Sequence, residues 1–340
     1  MVTVENSHTG INVQVDMAEQ GEVLLRIFKN SLTTTSIMQS VLTERPPLIV
    51  WFARGSSAHA VQSCTPVLTQ SMNIPWVQGD VSAHLHDPIL WPSGTVFLIA
   101  SQSGDTPDLV TLTEKLVGNG RRVITMSNVG GALKRISPAH IDLHAGIERA
   151  VPATKSVFAQ IATLLVVAEG TGEIPHALQQ HVIESVAKSG QRPTYQILEP
   201  LGGHLPVACI GSGTGLGLAR ELAHKIQETS GLGVLALDSA EFEHGPVAIA
   251  RSGNAVVAFT AGYTAATDAA IVAAHKRGAS ILTIGAAVTG SQRIEQESKQ
   301  GWELLPDLVV AQRLTMMLAQ SLGLDPDAAF GLSKVTHTFV

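Results

Sequence analysis

The stretch TVFLIASQSGDT, residues 95–106, carries the strongest indication of the fold class of this chain. Its first half carries an apolar run of the kind that forms a strand buried on both faces of a sheet. Its second half, SQSGDT, brings hydroxyls, an amide and a glycine to the point where that strand ends. The segment DLVTLTEKLV, residues 108–117, then has the apolar periodicity of a helix. A strand that passes through small polar residues into a helix is typical of a parallel α/β sheet, which binds ligands beyond the carboxyl ends of its strands.

The same alternation of strands and helices continues along the chain. The candidate strands are 48–52, 95–100, 122–126, 140–144, 206–210, 233–237, 254–260 and 280–284. The candidate helices lie at about 14–43, 57–72, 108–119 and from about 153 into the 160s, and further helices lie between the later strands. This pattern predicts the α/β class, with two stacked domains that are each a doubly wound parallel sheet flanked by helices.

The composition limits the class of protein. The chain has 340 residues, of which 45% are apolar and 15% charged, as in a protein with a buried core. Its net charge of -6 and its lack of a basic run argue against nucleic acid as a partner. It shows neither a membrane-spanning apolar run nor a secretion signal at its start. Cys64 and Cys209 lie in apolar surroundings, which predicts buried free thiols and a cytoplasmic protein.

Two strand ends share a chemistry that favours anions. FARGSSAHA (52–60) and IGSGTGLGLAR (210–220) both leave an apolar strand through glycines and hydroxyls and enter a helix. The amino terminus of a helix presents free N–H groups to a phosphate. Only the first copy is joined by a second hydroxyl cluster, at 101–106, so we predict the phosphate site there and a packing role for the second copy.

Each of these motifs has an alternative interpretation. The hydroxyls at 101–106 are also residues that cap helices. The glycines at 211, 213, 215 and 217 suggest a dinucleotide fingerprint, and Asp238 ends a following strand, but the spacing departs from G-x-G-x-x-G. The HLH triplet at 84–86 offers too few ligands for a metal site. We therefore predict neither a cofactor nor a metal.

Six segments, in order, carry a family resemblance. They are RGSS (54–57), SQSGDT (101–106), ERAVPATK (148–155), KIQE (225–228), SAEFEHGP (239–246) and LSKVT (332–336). With these segments the chain resembles the sugar isomerase (SIS) family over nearly all of residues 20–340. It is most similar to the isomerase half of glucosamine-6-phosphate synthase and to stand-alone deaminases that lack the glutaminase domain.

The resemblance implies which residues bind the substrate, a small-molecule sugar phosphate. The residues implied for the phosphate and its surroundings are Gly55, Ser56, Ser57, Ser101, Gln102, Ser103 and Thr106. The loop at 148–155 is expected to line the sugar through Val151 and Ala153, and Ala153 stands where the family usually has a serine. Ser333, in the carboxyl-terminal tail, is expected to contact the substrate as well.

The resemblance also implies the catalytic groups. Glu228 matches the carboxylate that moves a proton between C1 and C2, and Lys225 lies on the same helix face three residues earlier. His244 matches the ring-opening histidine, which implies a homodimer in which this residue is donated across the interface. Lys334 matches a tail lysine that forms a Schiff base or stabilises an enolate. Glu241 matches a further acid whose role is open. Without the resemblance, the simplest interpretation is that Lys225 and Glu228 form a surface ion pair and that Lys334 is a solvated residue near the carboxyl terminus.

These assignments predict a domain plan and a reaction. We expect an amino-terminal extension at 1–25, a phosphate-binding domain at 26–190, a second domain at 200–325 and a tail at 326–340 that closes over the site. Residue 2 is Val, so no exposed amino-terminal cysteine is present to act on glutamine. The favoured reaction converts glucosamine-6-phosphate to fructose-6-phosphate and ammonia. The alternatives are galactosamine-6-phosphate or fructosamine-6-phosphate as substrate, isomerisation of an unaminated sugar phosphate, and a non-catalytic sugar-phosphate sensor.

Overall fold

The chain forms two compact units. The computed structural model describes residues 9–42, 44–86, 91–128, 130–262, 264–285, 292–294 and 301–332. The described residues of 19–148 and 155–179 form one unit, called here the first unit. The described residues of 9–18, 149–154 and 180–332 form the other, called the second unit.

Each unit contains a parallel sheet of five strands. The strands are β1 (Ile49–Ala53), β2 (Trp76–Gln78), β3 (Val96–Ala100), β4 (Arg122–Ser127), β5 (Ala139–Asp142), β6 (Leu205–Gly211), β7 (Leu235–Asp238), β8 (Asn254–Phe259), β9 (Ser280–Ile284) and β10 (Gln292–Ile294). Their spatial orders are β2-β1-β3-β4-β5 and β10-β9-β8-β6-β7, which is the same order read from opposite edges. The predicted α/β class with two doubly wound parallel sheets is confirmed. The strand order reverses between β1 and β3 and between β6 and β8, where sheets of this kind bind ligands.

Helices connect the strands in both units. They are α1 (Ile11–Ala18), α2 (Gln20–Lys29), α3 (Ser31–Val41), α4 (Gly55–Met72), α5 (Val81–His86), α6 (Pro107–Gly118), α7 (Gly131–Ile136), α8 (Lys155–Glu169), α9 (His176–Gly190), α10 (Thr194–Leu198), α11 (Thr214–Ser230), α12 (Ser239–Glu243), α13 (Ala265–Lys276) and α14 (Leu304–Ser321). Short 3₁₀ turns lie at Glu199–Leu201, Pro246–Ile249 and Pro326–Gly331. None of the helices in the described part of the chain has both the length and the apolarity that crossing a bilayer requires.

The segment predicted as one helix over 14–43 is three helices, α1 to α3. The breaks fall at Glu19 and Asn30. The Asn30 side chain donates a hydrogen bond to the carbonyl of Arg26 at 2.8 Å, and the Asn30 backbone N–H is shared between the carbonyls of Arg26 and Ile27. An asparagine side chain competes in this way with the regular helix ladder, which is why such residues favour helix ends.

The core of each unit is apolar on both faces of its sheet. Every residue of β1 and β3 is buried, as expected for central parallel strands. In the first unit α8 is buried continuously from Lys155 to Val167 and packs against α4, so a helix that is apolar around most of its circumference lies in the interior.

Cys64 and Cys209 are both fully buried and free, which confirms the thiol prediction, and burial raises the pKa of each thiol.

Asp307, in the first turn of α14, is a fully buried carboxylic acid. None of the described residues donates a hydrogen bond to either of its carboxyl oxygens. Burial, and next the charge of Glu303, raise the pKa of Asp307 well above its usual range, while the charge of Arg192 lowers it by less. The folded protein therefore binds this proton more tightly than the unfolded chain does. The resulting stability is fully present below about pH 4, where an unfolded aspartate is protonated, and is lost as the pH rises through the folded pKa.

We expect Asp307→Asn to relieve this loss. The amide has nearly the same shape and stays neutral at every pH. Relative to the wild type, the variant should gain free energy of unfolding as the pH rises above 4, by about 1.4 kcal/mol for each pH unit over which the folded carboxyl stays protonated. Urea unfolding at several pH values measures the difference, with the exposed Glu114→Gln as control. A difference that does not change with pH would contradict this account of Asp307.

Candidate functional site

The predicted phosphate residues meet at the switch point of the first sheet. β1 and β3 are neighbours in register, with Phe52 opposite Ile99 and Ala53 opposite Ala100. The residues that follow the two strands therefore leave the sheet side by side. Ser56 and Ser57 lie in the first turn of α4, and the loop 101–106 leads into α6. The structure thus brings both hydroxyl clusters of the first unit to one edge of its sheet.

The loop 101–106 turns back on itself and brings two hydroxyls together. The Oγ of Ser101 lies 3.0 Å from the Oγ1 of Thr106 and accepts a hydrogen bond from the backbone N–H of Gly104 at 3.2 Å. Gly104 has a φ of 75°, and a Cβ built there would be 2.8 Å from the Oγ of Ser127. The turn therefore requires glycine at this position. Ser101 is buried, while Gln102 and Ser103 are half-buried.

The capping interpretation does not explain Thr106. Thr106 is the residue that precedes α6, but its side chain forms no capping hydrogen bond and instead faces the hydroxyl of Ser101. Arg54, which precedes α4, forms no side-chain cap either. The first N–H groups of a helix have no intrahelical partner, so these two helix starts still have N–H groups to offer an anion.

An ion pair links the two helix starts. Arg54 Nη2 and Nε lie 2.8 and 2.9 Å from Asp108 Oδ2, and Asp108 is in the first turn of α6. The pair holds the start of α6 against the start of α4 and neutralises the charge of Arg54. Ser57, which is buried in the first turn of α4, accepts a hydrogen bond at its Oγ from Gln160 Nε2 at 2.8 Å. An anion at this edge is consequently offered mainly neutral donors.

The corresponding place in the second unit is occupied by the chain itself. The turn at Ala261 and Gly262 follows β8 and lies over the start of α11. A Cβ built at Gly262 would be 2.6 Å from Thr214 Oγ1, and one built at Gly215 would be 2.6 Å from the Ala261 carbonyl oxygen. The backbone turn is therefore packed directly against the helix start. This geometry favours the packing role for GSGTGLG over the dinucleotide alternative.

The loop 149–154, which carries Val151 and Ala153, is fixed by an aspartate from α1. Asp16 is fully buried, and its Oδ2 accepts hydrogen bonds from the backbone N–H groups of Arg149 at 2.6 Å and Ala150 at 2.9 Å. At the other end of the loop, the Thr154 carbonyl accepts a hydrogen bond from Gln312 Nε2 at 2.9 Å. Val151 and Ala153 are half-buried between these two fixed points.

The predicted acid–base residues form a cluster on one face of α11. The ammonium group of Lys225 contacts Glu228 Oε2 and lies 3.9 Å from Glu221 Oε1. On the other side, His224 Nε2 lies 3.0 Å from Glu228 Oε1. Lys225 is buried and shares a small cavity with Pro152 and Thr154 of the loop 149–154. The structure therefore brings Lys225 and Glu228 together and adds two residues that the sequence interpretation did not assign to the site.

The charges around Glu228 keep it ionised. Burial is the largest single influence on the pKa of Glu228 and raises it. The hydrogen bond from His224, together with the charges of Lys225 and His224, outweighs burial and lowers the pKa below that of an ordinary glutamate. A carboxylate that is ionised at neutral pH and only 17% exposed can accept a proton from a bound molecule.

The remaining predicted residues are not joined to this cluster in the described part of the single chain. His244 follows α12 and is exposed, and no ion pair links it to Glu228. Glu241 is exposed on α12, which is anchored by the buried Phe242. Ser333 and Lys334 lie outside the described residues, and their roles stay predictions.

Sequence reasoning missed three residues of this region. His224 lies four residues before Glu228 and Glu221 lies seven before it, so the i, i+4 and i, i+7 spacing could have placed both on the face of Glu228. Asp16 is separated from Arg149 by 133 residues, and no local signal connects the two.

Comparisons with known proteins find similar sequences over more than half of the chain. The model of the SIS domain family matches residues 44–170 and 207–293 of the chain. A glutamine–fructose-6-phosphate aminotransferase (isomerizing) from Sulfolobus acidocaldarius is 31% identical over 244 residues, which cover 69% of this chain and 41% of that protein. The chain spans 37–43% of the length of the first curated relatives that it matches.

Solved structures share the fold over nearly the whole chain. A protein from Silicibacter pomeroyi DSS-3, provisionally described as a phosphosugar isomerase, is 25% identical and has a TM-score of 0.82, covering 93% of this chain and 99% of its own. Glucosamine-6-phosphate deaminase from Thermotoga maritima is 18% identical with a TM-score of 0.77, and the match covers 96% of this chain and all of that one.

Proposed function

We propose that this chain, which belongs to the SIS domain family, is a phosphosugar isomerase that releases ammonia from an amino-sugar phosphate. The favoured substrate is glucosamine-6-phosphate, and the products are fructose-6-phosphate and ammonia. The reaction uses no glutamine. Its first curated relatives aminate fructose-6-phosphate according to their names, and one structural relative is named a glucosamine-6-phosphate deaminase.

The observation that carries the proposal is the Glu228 carboxylate held between two donors, Lys225 and His224. After the sugar ring opens, the carboxylate takes the proton from C2, and an enolamine forms between C1 and C2. Returning the proton to C1 leaves an imine at C2. Water adds to this imine, ammonia leaves, and the ketone of fructose-6-phosphate remains. One carboxylate performs both proton transfers, which suits a group that is ionised at rest.

The hydroxyl cluster of the first unit supports the substrate class. Ser101 and Thr106 offer paired hydroxyls beside the starts of α4 and α6, and Arg54, a cation at this edge, is already paired with Asp108. Such a set of neutral donors binds a phosphate group through hydrogen bonds and helix N–H groups. An anchored phosphate orients the rest of the sugar, which makes the subsequent proton transfer effectively intramolecular.

The proposal is tested by ammonia release from the purified protein. Glucosamine-6-phosphate and galactosamine-6-phosphate are supplied separately, without glutamine, and ammonia and ketose phosphate are both measured. Equal amounts of ammonia and fructose-6-phosphate from glucosamine-6-phosphate would support the proposal. Turnover of galactosamine-6-phosphate alone would identify that sugar, and not glucosamine-6-phosphate, as the substrate. Tight binding of both sugars without turnover would overturn the enzymatic proposal in favour of a sugar-phosphate sensor.

We further propose that the working unit is a homodimer, because the resemblance implies that His244 acts in the partner subunit and His244 is exposed in this chain. Glu228→Gln and His244→Ala should each be nearly inactive alone. If the residues act across an interface, mixed dimers contain one site with both groups intact, and mixing should restore up to about a quarter of wild-type activity. Activity is measured after co-refolding or co-expression. Failure of dimeric mixtures to recover activity would contradict a shared site.

A further inference from the structure

We propose that His224 is a positioning residue that sets the orientation of the Glu228 carboxylate, an inference that rests on the proposed function. His224 lies on α11 four residues before Glu228, and its Nε2 is 3.0 Å from Glu228 Oε1. None of the six segments that carry the family resemblance contains His224. The role is therefore assigned by the geometry of this chain.

Two donors on opposite sides fix the plane of the carboxylate. Lys225 contacts Oε2, and His224 contacts Oε1. A glutamate carboxylate turns with little resistance about its last side-chain bond, because that torsion has a broad energy profile. A single lysine, which is a point donor on a flexible stem, would not prevent this rotation. With His224 on the second oxygen, rotation would break a hydrogen bond to a charged group.

The second ring nitrogen of the imidazole lies near another carboxylate. Its Nδ1 lies 4.0 Å from Oε2 of Glu221, a buried residue one turn earlier on the same helix face. Glu221 also approaches Lys225, at 3.9 Å. His224 and Lys225 thus lie between the carboxylates of Glu221 and Glu228 along one face of α11. The two close contacts, from His224 and Lys225, are the supporting interactions that keep a functional carboxylate in one orientation.

Loss of the orientation that His224 gives to the carboxylate should lower the rate of proton transfer and leave substrate binding unchanged. A base that is displaced by about 1 Å can lose about a hundredfold in rate. The proposed phosphate donors belong to the first unit and are separate in sequence from α11. Loss of His224 should therefore lower kcat and leave KM nearly unchanged.

The test compares His224→Leu, which removes the donor, with His224→Gln, whose amide N–H can still reach Glu228. We expect the leucine variant to lose about tenfold to a hundredfold in kcat, as removal of a hydrogen bond to a charged group predicts. Its KM should stay within about twofold, and the glutamine variant should recover most of the lost rate. His275→Leu, an exposed histidine on α13, is the matched control and should have wild-type kcat.

The outcomes separate this inference from the proposed function. If the wild type turns over no amino-sugar phosphate, the proposed function fails and the positioning role fails with it. If the wild type is active and His224→Leu has the same kcat, or if His224→Gln is as impaired as His224→Leu, only the positioning role is overturned. If His224→Leu does not fold, ring-nitrogen NMR of histidine-labelled protein decides. The His224 signal should shift in Glu228→Gln, and an unchanged signal would overturn the pairing.

Discussion

Glu228→Gln should lower kcat for glucosamine-6-phosphate by about a hundredfold to ten-thousandfold, the range that general acid–base catalysis contributes. The amide keeps the shape of the side chain but cannot take a proton from carbon. Binding of the sugar phosphate, measured by calorimetry, should change by no more than about twofold, because the carboxylate acts on the reacting carbons and not on the phosphate.

The thermal stability of this variant needs to be measured alongside the rate. Lys225 is 4% exposed and loses its closest anionic partner, and a buried charge without a partner destabilises the fold. Glu221, 3.9 Å from the same ammonium group, offsets part of this loss. Glu184→Gln, an exposed carboxylate on α9, is the control for the substitution itself. If folded Glu228→Gln keeps its kcat within about tenfold of the wild type, Glu228 is not the proton shuttle.

Ser101→Ala combined with Thr106→Ala should weaken the binding of fructose-6-phosphate by about a hundredfold or more, since each hydroxyl is expected to donate to a charged phosphate. The two oxygens lie 3.0 Å apart, and both are removed. The helix start should survive the change, because the Thr106 side chain forms no capping hydrogen bond. Calorimetric titration with fructose-6-phosphate and with unphosphorylated fructose distinguishes phosphate contacts from sugar contacts.

The control for the double variant is Thr111→Ala. This hydroxyl lies in the same helix, α6, but donates to the backbone carbonyl of Pro107 at 3.1 Å. It should leave the affinity for the sugar phosphate at its wild-type value. If the double variant binds as tightly as the control, the loop 101–106 does not hold the phosphate and the site lies elsewhere.

The strands and the hydroxyl edge of the first sheet were predictable because their signals are local. An uninterrupted apolar run such as VFLIA is compatible with a central parallel strand, and the polar residues after it must then lie at the carboxyl edge of the sheet. β2 and β10 were missed because three residues carry no periodicity. The division of 14–43 into three helices depends on single side chains such as Asn30 and was also missed.

Local patterns are therefore sufficient to predict the fold class and the elements that carry the hydroxyls and the carboxylate, because periodicity and chain order act over a few residues at a time. The contacts that fix the loop 149–154 and the start of α11 form only in the folded chain. Asp16 reaches the backbone of Arg149 across 133 residues, and the turn at Gly262 packs against the start of α11. Such contacts depend on how distant segments pack, and packing is a property of the folded chain that no local pattern encodes.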